Sequence, residues 1–364
     1  MKVLICGPEP SLEGGVAVWM KMVLSYFTAH PQPFLQVDHL PVKRSLPFTH
    51  LLPRFRKLYY DVADYVQISR ALRRRLRNES YDLVHVVSSA GHGIVRDWLF
   101  VKLIKRYRAA AVVHYHCGTI PHHLQTAGVL RWFLTRVFRL SDQIVVLDEA
   151  TRLAVVQAGC ETVVKIGNPY NPMIDTLVSD ASKRLPATLL FVGHVVPEKG
   201  IRELLQAVRE LPQVRLQCFG PEDRQFHTEL IRYVTEHDLQ DRVTFYGLRP
   251  SVDIFTEMCR ATLFVLPTYT EGFPFVIVEA MACGCPILSS PVGAIEEMLT
   301  SEGEVQGLLV APRDPEGLRS AIEQCLAHPE VATACALRAQ QKARENYSLE
   351  AVMGQLVTMW NSIK

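Results

Sequence analysis

Short runs of aliphatic and β-branched residues recur along this chain, alternating with longer stretches in which apolar positions fall three and four apart. KVLICG (2–7), DLVHVV (82–87), AAVVHYH (110–116) and QIVVLD (143–148) are almost continuously apolar. That marks strands buried on both faces. Helical spacing fills the intervals near 16–29, 61–77, 94–107 and 128–139. After KIGNPYNP (165–172) the chain turns polar and irregular, and the pattern then restarts with ATLLFVGH (187–194), RLQCFG (215–220), VTFYG (243–247), TLFVLP (262–267) and PILSS (286–290), each followed by a helix. Alternation of this kind predicts an α/β fold with parallel sheets covered on both faces. The break near 170 predicts two doubly wound, Rossmann-like domains: residues 1–170, joined by a last helix at about 348–364, and residues 171–347. Ligands of such folds meet the carboxyl ends of the strands, so function is expected in an interdomain cleft lined by strand-end loops.

Composition narrows the class. At 364 residues the chain exceeds what one core usually holds, and 48% hydrophobic with 21% charged residues is the make-up of a globular protein. Nine cysteines show no metal-ligand spacing, Cys283-x-Cys285 being too tight for a zinc knuckle, so free thiols in a reducing compartment are expected. MKVLICGPEP does not read as a secretory leader, and no apolar run is long enough to span a bilayer. A cytoplasmic location follows as the expectation. The net charge of +2 conceals an asymmetry, because residues 1–178 carry 22 Lys and Arg against 13 Asp and Glu while the remainder is acidic. The excess concentrates in residues 43–78, where Arg54, Arg56, Lys57, Arg70, Arg73, Arg74, Arg75 and Arg77 alternate with Leu, Phe, Tyr and Ile. Such a stretch suits the anionic inner face of a membrane, with peripheral attachment, better than nucleic acid. The plainer alternative is a solvated helix face.

The strand-end loops carry the candidate chemistry. After the first strand, Gly14-Gly15 stand immediately before a helical pattern, allowing close backbone approach and turning unpaired N–H groups toward an anion. Their spacing matches neither the dinucleotide fingerprint nor the P-loop, which argues against a dehydrogenase. FVGHVVPEKG (191–200) ends another strand and supplies Gly193, His194 and Lys199, a cation able to sit on a phosphate. EGFPFVIVEAMACGCP (271–286) places Glu271 on a loop, beside the N–H groups of Gly272 and Phe273, and Glu279 within the first two turns of a helix running from about Phe275 to Ala282. There the helix end is expected to favour an anion. Carboxylates in so apolar a segment need partners, and each can accept two hydroxyls of a diol in charge-assisted hydrogen bonds. One would take a sugar, the other a ribose.

These segments resemble the retaining GT-B glycosyltransferases, specifically glycosyltransferase family 4. EGFPFVIVEAMACGCPIL is similar to the family's E-x7-E signature and FVGHVVPEKGI to its G-R-L-x-x-x-K-G element, while SSPVGAIEEM and GLLVAPRDPEGL resemble its closing segments. The resemblance implies that Glu279 binds the ribose of a UDP- or GDP-sugar, that Glu271 with Gly272 and Phe273 reads the donor sugar, and that Lys199 neutralises the diphosphate. It further implies that Gly15 lies near the diphosphate, that His116 of HYHCG lies near the reacting carbon, and that NYSLEAVMGQLVTMW (346–360) crosses back to the N-terminal domain. His114 falls on the same strand face as His116. His194 stands where the family usually has an arginine, so a donor-binding part for it is a departure from the pattern. The implied activity is metal-independent, cofactor-free and retaining, moving a sugar to a saccharide acceptor, lipid-linked, in polysaccharide or glycolipid synthesis. The alternatives are a nucleotide-sugar 2-epimerase and a non-catalytic protein that binds sugar nucleotides.

Overall fold

The computed structural model describes residues 1–363 apart from 13, 43–53, 92, 127, 179–183 and 302, and only the backbone of 54–62 and 301. The chain divides into two compact units, residues 1–167 with 353–364, and residues 168–352.

In the first unit the chain runs β1 (Lys2–Gly7), α1 (Gly15–Ala29), β2 (Gln36–Pro41), α2 (Arg54–Asn78), β3 (Leu83–Ser88), α3 (Gly93–Arg106), β4 (Ala110–Tyr115), α4 (Ile120–Gln125), α5 (Val129–Leu140), β5 (Gln143–Val146), α6 (Glu149–Gln157) and β6 (Val163–Lys165). All six strands are parallel, in the order β2-β1-β3-β4-β5-β6. The order reverses between β1 and β3, which makes that gap the topological switch point of the sheet. β2 and β6 are edge strands. QVDHLP is only partly buried and VVK spans three residues, so neither shows the continuous apolar run that marks the central strands.

The second unit runs α7 (Met173–Leu177), β7 (Thr188–Val192), α8 (Ile201–Arg209), β8 (Arg215–Phe219), α9 (Arg224–Glu236), β9 (Val243–Phe245), α10 (Ser251–Arg260), β10 (Leu263–Leu266), α11 (Phe275–Ala282), β11 (Ile287–Ser289), α12 (Ile295–Leu299), β12 (Thr300–Ser301), β13 (Glu304–Val305), β14 (Leu308–Leu309), α13 (Pro315–Ala327) and α14 (Pro329–Tyr347). Its parallel sheet has the order β14-β11-β10-β7-β8-β9, with β12 and β13 a separate antiparallel pair. Here the order reverses between β7 and β10. The strand of TLFVLP stops at Leu266 because Pro267 has no N–H to continue the ladder. A final helix, α15 (Leu349–Ser362), begins in the second unit, and its residues from Met353 onward belong to the first.

Period-two alternation gives the first sheet two different faces. Leu4, Cys6, Val84, Val86, Val113 and Tyr115 point into one apolar cluster with Ile68 and Leu72 of α2, Phe100 of α3 and Leu134 of α5. On the other face His85 of β3 and His114 of β4 meet Trp19 of α1, and His85 also meets Trp360 of α15. Among the described residues no helix is long and apolar enough to cross a membrane.

Candidate functional site

The loops that follow β7 and β10 flank the switch point of the second sheet, and they are sewn together by their own backbone. Tyr269 N–H donates to the Glu198 carbonyl at 2.8 Å, and the buried Thr268 hydroxyl donates to the same carbonyl at 3.2 Å. Lys199 closes a short 3₁₀ turn, Pro197–Lys199, ahead of α8. That turn brings its ammonium to Glu271 Oε1 at 2.5 Å, with both side chains partly exposed. An ammonium has three N–H donors, so Lys199 can hold Glu271 and still meet a second anion. The pairing of residues 72 apart follows from the parallel order β10-β7 and is not encoded in either motif alone.

The loop after β11 supports Glu271 from below. Gly293, at φ +58, lies so close that an added Cβ would fall 2.3 Å from the Glu271 carbonyl oxygen and 2.7 Å from that of Gly272. Only glycine fits both the left-handed backbone and the contact. Ala294 N–H then donates to the Gly272 carbonyl at 2.9 Å. The N–H groups of Gly272 and Phe273 find no acceptor among the described residues, whereas the Phe273 ring is buried, edge-on to Tyr347 at 5.6 Å. Tyr269 completes the wall, its hydroxyl 2.6 Å from Glu203 and its ring beneath the Arg313 guanidinium at 4.5 Å. Gly293 and Arg313 lie in SSPVGAIEEM and GLLVAPRDPEGL, where the sequence alone gives neither a role; the glycine before a helix was the available signal.

Glu279 is the fifth residue of α11, which begins at Phe275 without a side-chain cap. The residue is only half-buried, yet its carboxyl is enclosed enough that desolvation pushes its pKa from 4.5 up to about 7. The expected help from the helix end is therefore not what governs it. Dipole stabilisation fades within the first turn, and Glu279 stands in the second. Among the described residues no side chain or backbone group hydrogen-bonds its carboxylate. A recessed acid without a protein partner is costly to the free protein and suited to accepting ligand hydroxyls. His194 is exposed, and among the described residues nothing binds its ring.

In the first unit Gly15 opens α1 and is exposed, while Gly14 before it, at φ +111, takes a conformation that favours glycine. His116 stands one residue past β4, half-buried, its backbone N–H donating to the Ser88 carbonyl at 2.7 Å. Its ring lies 4.0 Å from that of His114 and 4.8 Å from that of Trp19. His114 is fully buried inside the strand and is not the exposed member of the pair.

The basic stretch proves to be an amphipathic helix. Ile68, Leu72 and Leu76 are buried on one side of α2, and Arg70, Arg73, Arg74 and Arg77 are exposed on the other, while Arg75 pairs with Glu79. Residues 43–53 and the side chains of Arg54, Arg56 and Lys57 lie outside the described residues. α2 contacts α3 and α3 contacts α5, so the three form one layer. On α5, Arg131, Arg136 and Arg139 are exposed together with Trp132 (47%) and Val129 (70%). Arg136 lies over the Trp132 ring at 5.0 Å and Lys102 over that of Trp98 at 4.5 Å. Among the described side chains of these helices the carboxylates, Asp64 and Asp97, are buried.

Comparison with known proteins covers both units. Residues 16–168 match the family model for a glycosyl transferase 4-like domain, and residues 186–328 that for glycosyl transferases group 1. A glycogen synthase of Mycobacterium tuberculosis is 30% identical over 171 residues, 46% of this chain and 40% of that protein. An Escherichia coli O-antigen chain mannosyltransferase B is 30% identical over 171 residues, 45% of this chain and 44% of its own. The matched part is thus less than half the length of these curated relatives. The crystal structure of Anabaena HepE in complex with UDP superposes with a TM-score of 0.73 over 100% of both chains at 19% identity, which shows the shared fold.

Proposed function

Since this chain belongs to the group 1 glycosyltransferases of the GT-B fold, we propose that it moves a sugar from a UDP- or GDP-sugar to a saccharide acceptor, with retention of configuration and without a metal ion. The observation that carries the reading is Glu279, a recessed carboxylate without a protein partner among the described residues, on the helix that directly follows the loop of the Lys199–Glu271 pair at the switch point of the second sheet. Glu279 takes the ribose diol. Glu271, with the N–H groups of Gly272 and Phe273, takes hydroxyls of the donor sugar. Lys199 and the exposed His194 meet the diphosphate. From the first unit, Gly15 is assigned to the diphosphate and His116 to the reacting sugar.

In the proposed step the bond from the anomeric carbon to the diphosphate oxygen breaks, the bond to the acceptor oxygen forms on the same face, and the acceptor proton passes to the departing phosphate oxygen. Lys199 and the loop N–H groups stabilise charge that grows on that phosphate, supplying the positive field a metal would otherwise bring. The acceptor is a lipid-linked saccharide, which the exposed arginines and Trp132 of the α2–α3–α5 layer would help to meet at an anionic bilayer. UDP-glucose in a complexed HepE structure and O-antigen assembly in a relative support donor and acceptor class respectively. Neither the epimerase nor the non-catalytic reading is favoured, since both family models are transferase models. Thermal unfolding with a panel of UDP-, GDP- and ADP-sugars tests the donor assignment. A true donor at about 100 times its dissociation constant adds roughly 2.7 kcal/mol, and a panel that leaves the wild type unmoved rejects it.

A further inference from the structure

His85 and His114 are fully buried in the first sheet, where apolar residues would suffice for packing. Parallel register sets Val112 opposite His85 and Val87 opposite His114, so both imidazoles emerge on one face. Trp360 Nε1 lies 3.0 Å from His85 Nδ1, and His85 Nε2 lies 3.2 Å from His114 Nδ1.

The direction of this chain is fixed by its first member. An indole N–H can only donate, so His85 Nδ1 must accept and carry no proton. A neutral His85 then bears its proton on Nε2 and gives it to His114 Nδ1, which leaves the proton of His114 on Nε2. Charging either ring would set two N–H groups against each other. Burial works the same way, holding His85 at about 3 and His114 well below the usual histidine value, with the charge of His116 a second cause in both. His114 Nε2 finds no acceptor among the described residues, a cost that a residue serving only to fill space would not carry. The ring at its side is His116, 4.0 Å away.

We propose that Trp360 is a positioning residue for His116: through this one-way chain it holds His85 and His114 as neutral Nε2–H tautomers, giving His116 a flank that neither takes up charge nor reverses its polarity. The proposal rests on the reading that His116 serves the reacting sugar. Trp360 sits 275 residues from His85 in sequence and is itself held by Phe27 of α1 at 5.6 Å, so the last helix sets the state of a central strand far from it in sequence.

The test joins two measurements on the full chain. Histidine-labelled protein gives long-range ¹H–¹⁵N spectra from pH 6 to 8.5, with His85 and His114 assigned by their glutamine variants. Both rings show a bare Nδ1 and a protonated Nε2 throughout, and Trp360→Phe shifts His85 to mixed tautomers. Hydrolysis of UDP-glucose or GDP-mannose supplies kcat and KM for wild type, Trp360→Phe, His85→Leu and His85→Gln. Trp360→Phe and His85→Leu lower kcat about threefold to tenfold with donor KM unchanged, whereas His85→Gln, whose amide accepts and donates in the same order, keeps the wild-type kcat. An Nδ1–H tautomer or a titration in either ring overturns the proposal. So does a wild-type kcat in Trp360→Phe and His85→Leu, or an equal loss in all three variants that tracks thermal stability. Should the wild type consume neither sugar nucleotide, the assignment of His116 to the reacting sugar of these donors falls and the positioning role with it, while the spectra still decide the tautomers.

Discussion

The two units share one architecture and present opposite chemistry at their strand ends. Around the switch point of the second sheet stand a cation, an acid paired to it, N–H groups without an acceptor among the described residues, and a second acid whose pKa burial raises to about 7. At the corresponding edge of the first sheet the side chains are imidazoles and indoles, with His85 and His114 held neutral. The basic excess of the first unit stands elsewhere, on the exposed side of α2, α3 and α5, and the buried Asp97 beside Ser88 at the end of β3 is paired with Arg96 at 2.8 Å. The difference teaches that doubly wound topology fixes where ligands meet the backbone, while the side chains of each unit decide whether that place handles ions or uncharged groups.

The largest break in the comparison should come from Lys199. Its replacement by Ala removes the cation paired across the β7 and β10 loops, so kcat/KM is expected to fall about 10²–10³-fold. A fall below threefold would mean that the ionic edge does not stabilise the leaving group. Gly293→Ala comes next. The added methyl cannot fit 2.3 Å from the Glu271 carbonyl at φ +58, so stability should fall by about 2 kcal/mol and turnover about tenfold, as read by thermal melts and single-turnover rates.

Much of this edge was legible in the sequence, because strand, loop and helix follow one another within a short span. α11 runs from Phe275 to Ala282 as its apolar spacing and the preceding Pro predict. The ion pair was not legible, since residues 72 apart meet only once the sheet order is known. The Trp360–His85–His114 chain was less so: its members belong to three elements, and a histidine in an apolar strand has no local signature. The edge strands β2 and β6 leave no continuous apolar run in the sequence for a different reason, being half-exposed or three residues long.

Smaller effects sharpen the contrast between the units. Replacing Arg131, Arg136 and Arg139 by Gln should leave hydrolysis of a soluble sugar nucleotide unchanged while weakening binding to phosphatidylserine vesicles, at about 1 kcal/mol per residue near the surface. Vesicle sedimentation at low and high salt reads this, and equal partitioning to neutral and anionic vesicles would remove the membrane role. The smallest effect belongs to His194→Arg. An arginine forks onto two phosphate oxygens, so donor affinity should hold or improve by about threefold; a loss would place His194 away from the diphosphate.

Glu279 decides the central claim, that the ionic edge of the second unit holds the nucleotide. Its pKa of about 7 in the free protein lies above the 4.5 of an unburied glutamate, so ionisation destabilises the fold as pH rises through 7, and Glu279→Gln should unfold at a higher temperature than wild type at pH 8 but not at pH 5. Ribose hydroxyls favour the ionised carboxylate, so wild-type affinity should rise from pH 6 to 8 and level off above the free-protein value. The direct measurement is the dissociation constant of the wild type's best UDP- or GDP-sugar across that range, for wild type and Glu279→Gln. The account predicts that the variant is the more stable protein at pH 8 yet binds at least about tenfold more weakly there, with a flat pH profile. Equal affinity and equal slope in the two proteins would contradict it.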